Sequence, residues 1–268
     1  MVSALIITLR ETLEAALVVG IILAYLNKVV SPKAKKFVWQ GVLVGVIFSA
    51  LVAFLFETYF GGFVGKSEEL YEGVTMLVAA GLLTWMILWM MKQRNSIKKN
   101  IEAKVDAHVS KNYYFGLFLL SFVAVVREGV ETVIFLQGAR IQAEAEGVQV
   151  LMGALLGIFV AIVISYILFK GIAKIPLRKF FTFTTVLLIL FAAGLVAHGV
   201  HEFQEAGVLA TYNEHLWDLN SILNEKSGLG EFLKHLFGYN ANPSFEEVVV
   251  YFAYLIGMWA VSWRIVRA

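Results

Sequence analysis

Two short segments of the sequence repeat one pattern of ionisable residues, Arg-Glu-x-x-Glu, at positions 10–14 and 127–131. Residues three and four positions apart lie on the same face of a helix, so the two glutamates of each motif share a face and the arginine can reach the second of them. Carboxylate oxygens are the ligands that hard cations prefer. The pattern therefore predicts a cation site with the ligands Glu11, Glu14, Glu128 and Glu131 and the supporting arginines Arg10 and Arg127.

The charges of the two motifs do not balance. Four glutamates and two arginines carry a net charge of −2 when all of them are ionised. Both motifs lie near the middle of long apolar stretches, where a charged residue costs about 2.5–3.5 kcal/mol to insert into a membrane. Arginine–glutamate pairs that only fix helix packing need one glutamate for each arginine. The excess of negative charge therefore requires protons or a bound cation, and the absence of cysteine from the sequence excludes thiolate ligands for that cation.

A second group of acidic and imidazole side chains lies at the ends of two other apolar stretches. Glu68 and its acidic neighbours open the third stretch, where negative charge in a first helical turn also favours the helix dipole. The end of the sixth stretch carries histidines and glutamates on one stripe, but without the second histidine of a zinc protease motif. We interpret six residues as candidates for the outer mouth of a cation path: Glu69, Glu72, His198, His201, Glu202 and Glu205.

The elements that position these residues are too apolar for a soluble protein. Of the 268 residues, 59% are hydrophobic and 16% are charged, and the mean hydropathy is +0.77. A net charge of +2 gives no indication of nucleic-acid binding. The first stretch has no basic n-region and contains charged residues, so we read it as a retained helix rather than a signal peptide. About 20 apolar residues cross a bilayer, and seven stretches qualify, at roughly 3–26, 37–57, 70–91, 113–138, 149–170, 180–203 and 247–265.

The loop charges predict how these stretches are oriented. Lysine and arginine are concentrated in the loops after the first, third and fifth stretches and at the C-terminus, which predicts an outside N-terminus and an inside C-terminus. The motif then occurs once on an inward-running helix and once on an outward-running helix, which is typical of an inverted repeat. The predicted fold is an all-α polytopic membrane protein with seven transmembrane helices, arranged as a 3+3 inverted repeat plus one extra helix.

This fold forms a single transmembrane domain over residues 1–268. Its predicted parts are repeat one at about 1–91, repeat two at about 113–203, an outer loop at about 204–246 and a last helix at about 247–265. Two amphipathic stretches of the outer loop, 216–223 and 232–237, are interpreted as surface helices at the outer interface. Ser244 and Glu247 are spaced as a capping box that opens the last helix.

The sequence resembles the high-affinity iron permease family, the oxidase-dependent iron transporters of fungi and bacteria. The two Arg-Glu-x-x-Glu motifs are the hallmark of that family. Further matching segments are Glu69-Leu-Tyr-Glu72-Gly73, the stretch from His198 to Gly207 and the stretch at 238–243. The resemblance covers essentially the whole chain, which lacks a long soluble extension and so resembles the compact bacterial members.

The resemblance implies a transporter rather than an enzyme. The glutamates of both motifs are expected to bind iron as the transported substrate, with no permanently bound cofactor. In the family, Fe(II) is oxidised by a separate protein and the permease carries Fe(III). The implied partners are an extracytoplasmic iron oxidase or iron-delivery protein, and the implied location is the cytoplasmic membrane.

Two other functions are compatible with the same residues. One is a transporter for another divalent metal cation or a proton-coupled carrier. The other is a membrane di-iron oxidoreductase, because carboxylates on bundled helices also build di-iron sites. Such sites use Glu-x-x-His on two helices, and neither motif of this chain has a histidine at that position.

Overall fold

The computed structural model describes residues 1–29, 31–60, 65–93, 97–111, 113–144, 146–170, 177–213, 215–225 and 227–267. Over these ranges all regular secondary structure is α-helical, which confirms the predicted all-α class. The nine helices of the described chain are α1 (Val2–Lys28), α2 (Pro32–Phe60), α3 (Lys66–Gln93), α4 (Ile97–Ser110), α5 (Tyr114–Gln142), α6 (Gly147–Phe169), α7 (Leu177–Glu205), α8 (Gly228–Phe237) and α9 (Phe245–Arg267).

Five helices, α2, α3, α6, α7 and α9, contain segments long and apolar enough to cross a membrane. Helices α1 and α5 have 27 and 29 residues, so each rises about 40 Å and exceeds the roughly 30 Å hydrocarbon core. What distinguishes these two helices is the Arg-Glu-x-x-Glu motif near the middle of each. The chain is therefore a multi-pass membrane protein. That α1 and α5 also cross the membrane, which would give seven spans, stays a prediction.

The outer faces of α2, α6 and α9 are covered with exposed apolar side chains. Exposed apolar surface of this extent is unusual for a soluble monomer and normal for a protein that faces lipid. Helices α2 and α6 pack on the motif helices α5 and α1, and α9 packs on α7 and α3. The exposed residues include Leu43, Ile47, Phe54, Leu155, Phe159, Ile162, Phe252, Ile256 and Trp259.

Two close helix contacts between the predicted repeats use the same register. Helix α2 packs on α5 through Gly41 and Gly45, and α6 packs on α1 through Gly153 and Gly157. The first pair of glycines faces residues 118, 121, 122 and 125, and the second pair faces residues 1, 4, 5, 8 and 9. Residues 1, 4, 5 and 8 of the second set correspond to residues 118, 121, 122 and 125 of the first, each 117 positions later in the chain. Arg10 and Arg127 are separated by the same 117 positions. The inverted repeat stays a prediction, and this common register favours it.

The contact between α1 and α6 leaves no room for a side chain on the α6 glycines. A methyl group on Gly157 would lie 2.5 Å from the Leu5 carbonyl oxygen and 3.0 Å from the Leu9 amide nitrogen. We expect Gly157→Ala to destabilise the protein by about 1–3 kcal/mol, because it forces two backbones apart. Thermal unfolding in detergent is the measurement. Gly81→Ala is the matched control, because Gly81 is helical with open space around its Cα; equal melting temperatures for the two variants would contradict the packing argument.

The last helix begins with the predicted capping box. The Ser244 amide donates to Glu247 Oε1 at 3.1 Å, and the Glu247 amide donates to Ser244 Oγ at 3.3 Å. This reciprocal pairing satisfies two amide groups that a helix start leaves without intrahelical partners. The sequence prediction for this boundary is therefore confirmed.

The outer loop contains one of the two predicted surface helices. Residues 232–237 lie within α8, as predicted, but residues 216–223 form turns rather than a helix. The amide of Leu216 donates to the Pro243 carbonyl, and the amide of Leu219 donates to the Ala241 carbonyl. These two bonds hold residues 216 and 219 against the segment 241–243, and the residues between them follow an irregular path. The prediction of a helix over 216–223 was therefore wrong.

Helix α4 was not predicted. It lies between the third and fourth apolar stretches and packs against α1 and α5. Val105 is fully buried, and Ile101 and Val109 pack against the same apolar cluster. An apolar residue every fourth position is the signal that marks this helix in a segment rich in lysine.

Candidate metal centre and outer cavity

The crossing of α1 and α5 brings the two motifs together in the interior of the bundle. Glu11, Glu128 and Glu131 each offer a carboxylate oxygen, and these three atoms lie within 4.8 Å of one another. All three side chains are buried, and the Oε2 atom of each has no hydrogen-bond partner. Buried polar atoms are normally paired, so three clustered carboxylates that each keep an unpaired oxygen are suited to receiving a cation.

The spacing of these oxygens fits a small ion after minor side-chain adjustment. Oxygens on opposite sides of an ion that binds them at about 2.1 Å lie about 4.2 Å apart. The oxygens here lie within 4.8 Å of one another, and the last glutamate torsion, which is broad, can adjust their separation to the ion. Three carboxylates this close repel one another when all are ionised, so a cation, the arginines or protons must compensate them.

Glu14, the fourth predicted ligand, lies beside this group and not in it. Its Oε1 atom is 2.8 Å from Arg10 Nη2, and the side chain is buried. Within the described residues the group of three therefore contains three of the four glutamates predicted from the sequence. The role of all four in binding a metal stays a prediction.

The two motif arginines occupy different environments although their sequence contexts are alike. Arg10 is completely buried and contacts Glu11 at 3.0 Å and Glu14 at 2.8 Å. Arg127 is 29% exposed; it lies 2.8 Å from Glu131 and 4.0 Å from Glu128. The arginine contributed by α1 is therefore completely buried, whereas the arginine contributed by α5 lies partly at the surface of the bundle.

A cavity of about 320 Å³ opens near the start of α3 and the end of α7. It contains all six residues predicted for the outer mouth, together with Glu68 and two residues near the end of α5. Sequence reasoning missed Glu144, whose position in a short acidic loop after the motif helix was the available signal. The lining residues are Glu68, Glu69, Glu72, Ile141, Glu144, His198, His201, Glu202 and Glu205.

The two histidines of the cavity have different partners. Both ring nitrogens of His201 face carboxylates: Nε2 lies 3.2 Å from Glu205, and Nδ1 lies 3.1 Å from Glu247. This arrangement suits a doubly protonated imidazolium, which cannot bind a metal until one contact is released. His198 Nε2 lies 3.7 Å from Glu202. Glu247, which the sequence marked only as a helix cap, thus also connects α9 to the cavity wall.

Helix α8 is tied by ion pairs to the loop that contributes Glu144 to the cavity. Lys234 contacts Glu144 at 2.7 Å and Glu225 at 3.6 Å, which fixes α8 to the loop after α5. The next residue, His235, is buried, and this burial lowers the pKa of its imidazole below the ordinary value. His235 is therefore neutral at neutral pH and packs as part of the protein interior.

A layer of apolar side chains separates the cavity from the motif glutamates. Met76 lies one turn beyond Glu72 on α3, and Phe135 lies one turn from Glu131 on α5. Both residues are fully buried and belong to one apolar cluster that also includes Ile7 of α1. Fully buried apolar side chains therefore follow the cavity residue Glu72 on α3 and the motif residue Glu131 on α5.

Comparison with known proteins identifies relatives of the whole chain. Residues 1–266 match the family described as the Iron permease FTR1 family. The chain is 36% identical over 253 residues to the protein named ferrous iron permease EfeU of Yersinia pestis, covering 94% of this chain and 89% of that protein. It is 35% identical over 253 residues to the protein of the same name from Escherichia coli O6:K15:H31 (strain 536 / UPEC), covering 94% and 91% of the two chains. No solved structure matches the chain.

Proposed function

The chain belongs to the Iron permease FTR1 family, and from that membership we propose that it takes iron up across the cytoplasmic membrane through the motif glutamates. The observation that carries the proposal is the convergence of Glu11, Glu128 and Glu131 from two distant motifs into one buried group with unpaired oxygens. A purely structural arrangement has no need for carboxylate oxygens without partners. A site that loads and releases a cation needs them.

We propose Fe(III) as the species that occupies the three carboxylates. The relatives are named ferrous iron permeases, whereas the family resemblance implies that Fe(II) is oxidised before transfer. A site that offers only carboxylate oxygens suits the harder ion, Fe(III). An extracytoplasmic oxidase that removes one electron from each Fe(II), or an iron-delivery protein, would then present Fe(III) to the outer cavity.

Uptake by the purified protein in liposomes tests this function directly. Vesicles with the intact chain are offered Fe(III) as the citrate complex, Fe(II) with ascorbate, Mn(II) or Zn(II), and metal inside the vesicles is measured. The expected result is uptake of Fe(III) above empty vesicles and above both other metals. Uptake of Fe(II) alone would overturn the proposed valence, and preferential uptake of Mn(II) or Zn(II) would favour a transporter for another divalent cation.

The proposed route requires seven spans with the outer cavity facing outward. The loop charges support an outside N-terminus and an inside C-terminus. We expect a tag at the N-terminus to be accessible in intact spheroplasts and a tag at the C-terminus to become accessible only after lysis. The control is a tag in the basic segment at 97–111, which should follow the C-terminal tag. Accessibility of both ends from one side would reject seven spans.

The outer cavity is proposed to collect iron before it enters the closed interior. Its many carboxylates raise the local cation concentration without forming the transport site. We expect Glu72→Gln and Glu202→Gln each to raise the KM for iron by about three- to tenfold and to leave the maximal rate unchanged. Glu231→Gln is the matched control, because Glu231 is an exposed carboxylate of α8 outside the cavity lining. An unchanged KM for iron in both cavity variants would indicate that Glu72 and Glu202 have only a structural role.

A further inference from the structure

The two motif arginines contact the same short segment of α3 from two sides. Arg10 Nη1 donates to Met86 Sδ at 3.2 Å, and Arg10 Nη2 donates to Met90 Sδ at 2.9 Å. The Arg127 guanidinium carbon lies 4.4 Å from the ring centre of Trp89 and 5.6 Å from that of Trp85. Helix α3 therefore offers a pair of sulfur atoms to one arginine and a pair of indole rings to the other.

Each pair is built by helical spacing. Positions 85 and 89 are four apart, as are 86 and 90, so each pair stacks along one face of the helix. The two indole rings are themselves stacked, with ring centres 6.5 Å apart and an interplanar angle of 28°. Two adjacent faces of a single helix thus contact both guanidinium groups.

These partners attract a guanidinium group without neutralising it. A thioether sulfur is a weak acceptor, and an indole ring attracts a cation through its quadrupole. Neither carries a negative charge that could replace the glutamates. Both arginines nevertheless gain a fixed contact that does not depend on the carboxylates.

This matters because iron and the arginines need the same oxygens. Arg10 contacts Glu11 at 3.0 Å, and Arg127 contacts Glu131 at 2.8 Å, and both glutamates belong to the group of three. A guanidinium group that is free to move forms a forked pair with a carboxylate and occupies both of its oxygens. A guanidinium group that is held on α3 leaves the second oxygen of each glutamate unpaired, as the structure has it.

We propose that Met86, Met90 and Trp89 are positioning residues that hold the motif arginines back from the site and so keep the carboxylates available to iron. This inference rests on the proposed function, because it assigns these residues a role in iron affinity. Their loss should allow Arg10 or Arg127 to compete with iron for Glu11 or Glu131. The effect is therefore expected on iron affinity, in protein that is still folded.

The test is iron binding to the purified full-length protein in detergent, measured for Fe(III) citrate and for Fe(II) with ascorbate and expressed per folded molecule. We expect the double variant Met86→Leu, Met90→Leu and the variant Trp89→Leu each to bind iron about tenfold more weakly. Trp89→Phe retains an aromatic face and should recover most of the affinity lost in Trp89→Leu. A merely structural role for Trp89 would change melting temperature without this difference in affinity.

Matched controls exist on α9. Met258 is a buried methionine of the same apolar cluster, and Trp263 has Arg267 over its ring at 3.6 Å, so Met258→Leu and Trp263→Leu remove the same groups away from the motifs. Both controls should bind iron as the unchanged protein does. If the unchanged protein binds iron and the three α3 variants bind it equally well, the positioning role is rejected. If the unchanged protein binds no iron in either form, the proposed function itself fails.

A second measurement tests whether the methionines affect iron binding through Arg10. In protein that carries Arg10→Gln, the competing guanidinium group is absent, so adding Met86→Leu and Met90→Leu should produce no further loss of affinity. An additional tenfold loss in that background would show that the sulfurs act in another way and would overturn the proposal. Should Arg10→Gln fail to fold, the comparison of Trp89→Phe with Trp89→Leu remains the deciding result.

Discussion

Replacing Glu11 or Glu128 by glutamine is expected to abolish iron transport while the protein still inserts and folds. Glutamine has nearly the same shape as glutamate, so helix packing changes little. What is lost is one negative charge and one oxygen ligand from a buried group of three. Because even groups that only support a metal ligand contribute about 10–100-fold to metal affinity, we expect loss of a ligand to reduce iron binding by about a hundredfold or more.

The opposite expectation follows if the motifs only balance charge. Each substitution would move the net charge of −2 towards zero, and the variant would be as active as the unchanged protein, or more stable. Glu57→Gln is the control, because Glu57 is exposed and pairs with Arg140 on the surface of the bundle. The measurements are iron uptake per folded protein and iron binding to purified variants. If both motif variants bind and take up iron as well as the unchanged protein does, the proposal that Glu11 and Glu128 bind iron is rejected.

The substitution Glu14→Gln tests whether the site has the three glutamate ligands of the structure or the four predicted from the sequence. If all four glutamates bind iron, Glu14→Gln should be as damaging as Glu11→Gln. The structure places Glu14 against Arg10 and outside the group of three, so its loss should weaken binding less than loss of Glu11. Equal losses in the two variants would indicate that Glu14 moves into the site when iron is bound.

Sequence reasoning predicted the long helices well, because a run of about 20 apolar residues has few alternatives in a membrane protein. It failed where the fold depends on contacts between distant segments. Residues 216–223 have an amphipathic pattern, but the amides of Leu216 and Leu219 bind the carbonyl groups of Pro243 and Ala241. Helix α4 was missed because a search for membrane spans does not detect a polar helix with one apolar stripe.

The sequence predicted which residues form the site, but it did not predict how their side chains are arranged in space. Two identical motifs on inverted helices suggest two equivalent halves, and the sequence offered no reason to distinguish Arg10 from Arg127. The distinction comes from α3, which presents sulfur atoms to one arginine and indole rings to the other. Those contacts join residues some 40–80 positions apart in the chain, so spacing within either motif cannot reveal them.

This asymmetry leads to unequal expectations for Arg10→Ala and Arg127→Ala. Arg10 is fully buried between two carboxylates and two sulfur atoms, so its removal leaves the buried carboxylates of Glu11 and Glu14 without compensation. Breaking a buried ion pair in this way costs about 3–5 kcal/mol of stability. Arg127 is 29% exposed and makes contacts with two indole rings beside its ion pair, so its loss should cost less, about 1–2 kcal/mol.

Arg10→Ala is therefore expected to unfold at a clearly lower temperature than Arg127→Ala, and both are expected to lose transport. Arg10→Lys restores the charge but not the forked geometry that reaches Glu11 and Glu14 together, so it should recover only part of the stability. Thermal unfolding in detergent and iron uptake per folded protein are measured for all three variants. Arg140→Ala serves as the control, because Arg140 forms an exposed pair with Glu57 and exposed pairs contribute about 0–1 kcal/mol. Equal destabilisation by Arg10→Ala and Arg127→Ala would mean that the two halves of the site are equivalent in the membrane, as their sequences suggest.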